Sequence, residues 1–121
     1  MRRSLAALAV LLLTLGATVA CGDEEKPDTG SSSDPKVIKV TIEGDSVTPN
    51  GERVEVAVGQ DVELDVTADE PGEIHVHSSP EQELEYPAGK STQTIGGIDQ
   101  PGTVDVESHA LEKVIVQLEV R

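Results

Sequence analysis

Val54-Glu55-Val56-Ala57-Val58-Gly59-Gln60-Asp61-Val62-Glu63-Leu64-Asp65-Val66 is the stretch that decides the fold of this chain. Two runs of alternating apolar and polar residues are separated by a glycine. Val54, Val56 and Val58 share one side of the first run, and Val62, Leu64 and Val66 share one side of the second. Period two is the spacing of a strand with one face in a core and the other in water. The same pattern recurs upstream at Ile38, Val40 and Ile42, and downstream at Val114, Val116, Leu118 and Val120, with Ile115 as the one apolar residue out of phase. Shorter candidates are Glu73–His77, Thr92–Ile98 and Thr103–Glu107. No window has helical spacing beyond a single turn at Ala110–Lys113.

The punctuation agrees with strands. Thr48-Pro49-Asn50-Gly51, Glu70-Pro71-Gly72 and Asp99-Gln100-Pro101-Gly102 carry the residues that turns require. Short strands at this spacing predict an all-β domain over residues 37–121, a small antiparallel β-sandwich or Greek-key barrel. Gly59-Gln60 serves either as a two-residue hairpin or as a corner between two sheets. The core is aliphatic, because Tyr86 is the only aromatic residue apart from three histidines. Tyr86, beside Pro87, is either a recognition tip or a cover over one edge of the sandwich, and the second is the commoner fate of a tyrosine.

The first 36 residues read differently. Met1-Arg2-Arg3 is a positive start, Ser4 to Leu15 is apolar, and small residues lead to Cys21, the only cysteine. The apolar run is shorter than the ~20 residues a membrane-spanning helix needs, and it has the length of a secretory signal. Thr18-Val19-Ala20-Cys21 resembles the lipobox of bacterial lipoproteins, with Thr18 where leucine is usual. The resemblance implies a signal peptide over 1–20 and acylation of Cys21 by fatty chains such as palmitate. The protein would then be held on the cell membrane, facing outside the cytoplasm. Residues 21–36 (CGDEEKPDTGSSSDPK) are too polar to pack and read as an acidic tether.

Charge narrows the partners. The net charge is −14, and loss of Arg2 and Arg3 with a signal peptide takes it to −16. Nucleic-acid binding rests on lysines and arginines that neutralise phosphates, so so acidic a surface argues against it. Metal ions, cationic proteins of the cell envelope and plain solubility are all compatible with it.

From Val47 to Arg121 the order of signals resembles the cupredoxin fold. A proline turn at Pro49 precedes strand Val54–Val58, the Gly59 position and strand Val62–Val66. The histidine segment Gly72-Glu73-Ile74-His75-Val76-His77 follows, and Glu107-Ser108-His109-Ala110-Leu111 precedes the closing strand. The resemblance implies that Gly59 turns a corner between sheets, which is the preferred reading. It also implies a blue-copper ligand loop, and there the sequence departs. Such a centre needs a cysteine thiolate and has a weak axial methionine. Glu107 or Ser108 stands at the cysteine position and Leu111 or Glu112 at the methionine position, and the only methionine is Met1.

Three histidines remain. His75 and His77, two apart on a strand, point to the same side and are able to chelate one ion. The resemblance implies a ligand loop that brings His109 towards the first of them, His75. With Glu73 or Glu107, a set of His75, His77 and His109 suits Cu(II) or Zn(II). If Ile74 and Val76 face the core, His75 and His77 face solvent as ordinary surface residues. No catalytic constellation stands out. Ser108 and His109 are neighbours that point apart on an extended chain, and there is no phosphate loop or calcium-loop spacing. The sequence therefore predicts a non-catalytic, lipid-anchored module outside the cytoplasm, either metal-binding or holding an envelope protein without a metal site.

Overall fold

The computed structural model describes residues 34–121. The signal segment 1–20, Cys21 and the tether up to Ser33 lie outside the described residues. Nine strands are described: β1 (Lys36–Glu43), β2 (Ser46–Thr48), β3 (Glu52–Val56), β4 (Val62–Ala68), β5 (Gly72–Val76), β6 (Gln82–Tyr86), β7 (Gly89–Ile95), β8 (Gly102–Ser108) and β9 (Lys113–Val120). They build two sheets, β2-β1-β4-β7 and β3-β9-β8-β5-β6. The all-β sandwich read from the alternation is the observed architecture. Most pairs are antiparallel, but β1–β4 and β3–β9 are parallel, so both sheets are mixed. Period two reports which face of a strand is buried and is silent on the direction of its neighbour.

Between the sheets lies one aliphatic core. Ile38, Val40 and Ile42 of β1 and Val62, Leu64 and Val66 of β4 meet Ile74, Val76, Val104, Val106, Val116 and Leu118 from the other sheet. Tyr86 is buried with them as a cover. Its phenol pKa is raised above the ordinary value, chiefly because burial disfavours the phenolate. Two positions depart from the simple alternation. Val58 falls beyond β3 and is exposed, while Ile115 is fully buried beside Val116. The register explains Ile115. Val106 pairs with Val116 and Glu107 with Val114, so Ile115 is the extra residue of a β-bulge, and the apolar phase of β9 shifts there.

Gly59 turns the corner between sheets, since β3 and β4 belong to different ones, and the hairpin alternative is not what forms. Its φ is +77°, a left-handed conformation that glycine adopts without strain. The corner is clamped from the β7–β8 loop. Gly59 N–H donates to the Ile98 carbonyl at 2.9 Å, and Gly97 N–H donates to the Asp61 carboxylate at 2.8 Å. A Cβ on Gly97 would lie 2.6 Å from the Gly59 carbonyl carbon, and backbone cannot yield there as a side chain can. At Gly96 the nearest atom is the tip of Gln82 at 3.5 Å, an ordinary contact. Gly97→Ala is therefore expected to cost about 1–3 kcal/mol, the usual range for overpacking. Gly96→Ala should stay within about 0.5 kcal/mol of wild type. Thermal unfolding of the two variants side by side checks this, and equal melting temperatures would refute the corner clamp.

Candidate metal centre

The outer face of the five-stranded sheet collects the histidines. Ile74 and Val76 point into the core with no exposure, so Glu73, His75 and His77 project from the opposite face of β5. On β8, Val106 and Ser108 point inwards, and Glu107 outwards. Strands β5 and β8 pair with Ile74 opposite Ser108 and His75 opposite Glu107. The pairing runs one residue further, because His109 N–H donates to the Glu73 carbonyl at 3.0 Å. That bond sets His109 opposite Glu73 and diagonal to His75, within reach of both.

The side chains meet accordingly. The His75 and His109 rings stack with centroids 4.5 Å apart and planes inclined by 24°. The His75 Nε2 atom is in a short contact with the Glu73 carboxylate. One donor atom from each of Glu73, His75 and His109 falls in a group in which all lie within 4.8 Å of one another. Ligands of a tetrahedral ion at about 2.1 Å are roughly 3.4 Å apart, so small side-chain rotations close this set.

His77 does not join that group. Its ring stands edge-on to His75 at 6.3 Å, and its Nε2 lies 3.0 Å from the Glu107 carboxylate. With 45% of its side chain exposed, against 19% for His75, it is the more solvated of the pair. Of the three expected histidines, the structure brings His75 and His109 together with Glu73 and sets His77 apart beside Glu107. The reason is strand spacing: His109 stands opposite Glu73, so His75 is one diagonal step away and His77 two.

Further carboxylates come from β6 and the turn that leads into it. The turn after β5 is tied by the Ser78 hydroxyl donating to the Pro80 carbonyl at 2.7 Å. The chain then returns alongside β5, with Glu83 opposite His75 and Glu85 opposite Glu73. Glu81 lies 3.6 Å from His75 Nδ1 and 3.8 Å from His77 Nδ1, and Glu83 lies 4.0 Å from His75 Nε2. Sequence reading missed Glu81 and Glu83 because β6 was not recognised as a strand. Leu84 and Tyr86 were its only apolar signal.

The thiolate copper centre of cupredoxins does not fit these residues. The described residues contain neither cysteine nor methionine. Of the residues expected at the ligand-loop positions, Glu107 faces His77, Ser108 is buried in the core and Leu111 packs against the core. Ser108 and His109 point to opposite sides of β8, so no nucleophile–base contact forms between them. Nitrogen and carboxylate oxygen are the donors this face offers, a set suited to Cu(II) or Zn(II) rather than Cu(I).

The carboxylates also set the proton affinity of His75. Its pKa is raised, first by the hydrogen bond to Glu73 and then by the charges of Glu73, Glu83 and Glu81, against an opposing desolvation. A histidine whose pKa rises on folding stabilises the fold fully below its unfolded value of about 6.5. That contribution is lost as the pH rises through the elevated folded-state value. Thermal unfolding of wild type and His75→Gln between about pH 5 and pH 10 tests this. The variant should be the less stable below about pH 6.5 and converge on wild type at alkaline pH. A difference that grows with pH would reverse the assignment.

No protein-family model matches the sequence, and no curated protein matches it significantly. Solved structures do resemble it in fold. A multi-copper oxidase from Pediococcus acidilactici aligns with a TM-score of 0.53 at 15% identity, over 80% of this chain and 28% of the oxidase. A reduced amicyanin variant aligns with a TM-score of 0.48 at 13% identity, over 74% of this chain and 87% of its own. A second amicyanin variant, in its Cu(I) form, gives 0.49 at 12% identity over the same shares. At these identities the likeness concerns architecture alone, and on it the described residues form a cupredoxin-like β-sandwich.

Proposed function

We propose that this protein is a non-catalytic metal-binding module that takes Cu(II) or Zn(II) at Glu73, His75 and His109, carried on the outside of the cell membrane by lipid at Cys21. The observation that carries the metal reading is the convergence of one carboxylate and two imidazoles within 4.8 Å on one sheet face. Each of the three comes from a backbone position set by strand pairing, so only side-chain rotation separates the donors from ligand spacing. Three protein ligands leave room for water or for a ligand from another molecule, as suits an ion that is received and passed on. The lipid anchor is supported by the signal-like start and by Ala20-Cys21. Several acyl chains, at about 0.8 kcal/mol per buried CH₂, would make such an attachment lasting.

Calorimetric titration of the full chain with Cu(II) and Zn(II), in a Cys21→Ser background that removes the competing thiol, is the direct test. A Kd of about 1 µM or tighter, near −8 kcal/mol, is expected. It should weaken at least tenfold, about 1.4 kcal/mol, in His75→Ala/His109→Ala. His77→Ala should keep the tight site. An absence of binding, or binding that the double variant retains, would overturn the metal reading and favour an envelope-protein partner for the acidic face.

A further inference from the structure

Glu73 and His109 each follow a residue that faces the interior. Strand alternation turns Gly72 and Ser108 inwards where it turns Glu73 and His109 outwards. Tyr86 stands opposite Gly72 on β6, and its phenol fills the space that a side chain at 72 would need. A Cβ on Gly72 would lie 2.7 Å from the Tyr86 Cζ atom. Ser108 is on the far side of β5, opposite Ile74. The phenol thus reaches from β6 over Gly72 towards β8. There the Ser108 hydroxyl is near enough to lower the tyrosine pKa against the larger effect of burial. Glu73, Tyr86 and His109 line one cleft at this end of the sheet. We infer that Tyr86 and Ser108 are positioning residues of the metal centre, clasping β6, β5 and β8 together behind Glu73 and His109.

His109 needs such support. It lies just past the last pair of β8 with β9, Ser108 with Lys113, and the turn that follows holds Glu112 at a φ of +50°. The backbone bond to the Glu73 carbonyl ties it to β5, but the residue itself is exposed. Its neighbour Ser108 is the buried anchor, with no exposure. The Ser108 Oγ makes no well-formed hydrogen bond, so it approaches the phenol without closing on it. A hydroxyl is costly to bury alone among aliphatic side chains, and for Ser108 the phenol is the partner at hand. Their attraction draws β6 and β8 towards β5 at the level of the two ligands. Loss of either hydroxyl loosens that level, and a centre whose supporting groups are loose holds its ion less tightly.

This positioning role rests on the metal reading above, and the choice of variants keeps the two apart. Zinc calorimetry and Cu(II) electron paramagnetic resonance, on the full chain carrying Cys21→Ser, compare wild type with Tyr86→Phe, Ser108→Ala and the double variant. Each single change removes one hydroxyl, nearly keeps the shape and leaves the three ligands in place. Each should weaken zinc about tenfold, the low end for residues that orient ligands, and alter the copper spectrum. The double variant should be no weaker than the worse single one, because one clasp is lost only once. Val62→Ala, a core truncation in the other sheet, should lower the melting temperature at least as far and leave the zinc affinity unchanged. Unchanged affinity and spectrum in Tyr86→Phe and Ser108→Ala, with zinc still lost in His75→Ala/His109→Ala, would overturn the clasp and leave the metal centre. Losses that add in the double variant, or that Val62→Ala reproduces, would overturn the clasp as well. No zinc bound by wild type would overturn both.

Discussion

The pairing of Ile74 with Ser108 across β5 and β8 is the contact on which the face of histidines depends. With Ile74 and Val76 locked into the core, their neighbours have no choice of side. A slip of one residue would carry Glu73, His75 and His77 into an aliphatic interior and put Ile74 and Val76 in water. Burying an unpaired carboxylate costs several kcal/mol or more, so the register is held by what must stay outside as much as by what goes in. Once it is held, His109 follows opposite Glu73, and the two imidazoles stack.

Such a face is electrostatically uncomfortable without a cation. Cross-strand pairs of like charge destabilise a sheet, and Glu73 stands directly opposite Glu85. His75 relieves part of this when protonated, and it holds its proton more tightly than a free imidazole, first through its hydrogen bond to Glu73 and then through the surrounding carboxylates. A metal ion would answer the same need more fully. On the proposed reading, proton and metal would be alternative occupants of one arrangement. Behind the face, Ser108 is a polar residue in an otherwise apolar interior, and its hydroxyl makes no well-formed hydrogen bond. It is the one buried hydroxyl at the end of the strand that presents Glu107 and His109.

Strands with a continuous aliphatic face were legible from their alternation: β1, β4, β8 and β9 lie where the valine and isoleucine spacing puts them. The two strands that were not read, β2 and β6, are short edge strands. Edge positions bury only one or two side chains, and in β6 the rest are Gln82, Glu83 and Glu85, poor strand formers chosen for solvent. That omission is also why the carboxylate half of the candidate centre was missed. Glu81 and Glu83 look like ordinary surface acids in a sequence so rich in them, and only the return of β6 beside β5 brings them to His75. Ile115 is the reverse case. A single apolar residue out of phase was visible as an exception, and the bulge opposite Val106 and Glu107 gives it its meaning.

The sequence by itself determined that the domain is a β-sandwich, that its core is aliphatic and that His75 and His77 lie on one side of one strand. All of these follow from period two and residue chemistry within a few neighbouring positions. It also determined that thiolate copper chemistry is outside this domain's reach, since the donor atoms are lacking. Tertiary structure alone decided that Gly59 is a corner, that β1 and β3 pair in parallel with β4 and β9, and that His109 rather than His77 completes the candidate centre with Glu73 and His75. Those outcomes depend on which strands become neighbours and in what register. Hydrogen bonding between distant segments settles both, and no local pattern encodes it.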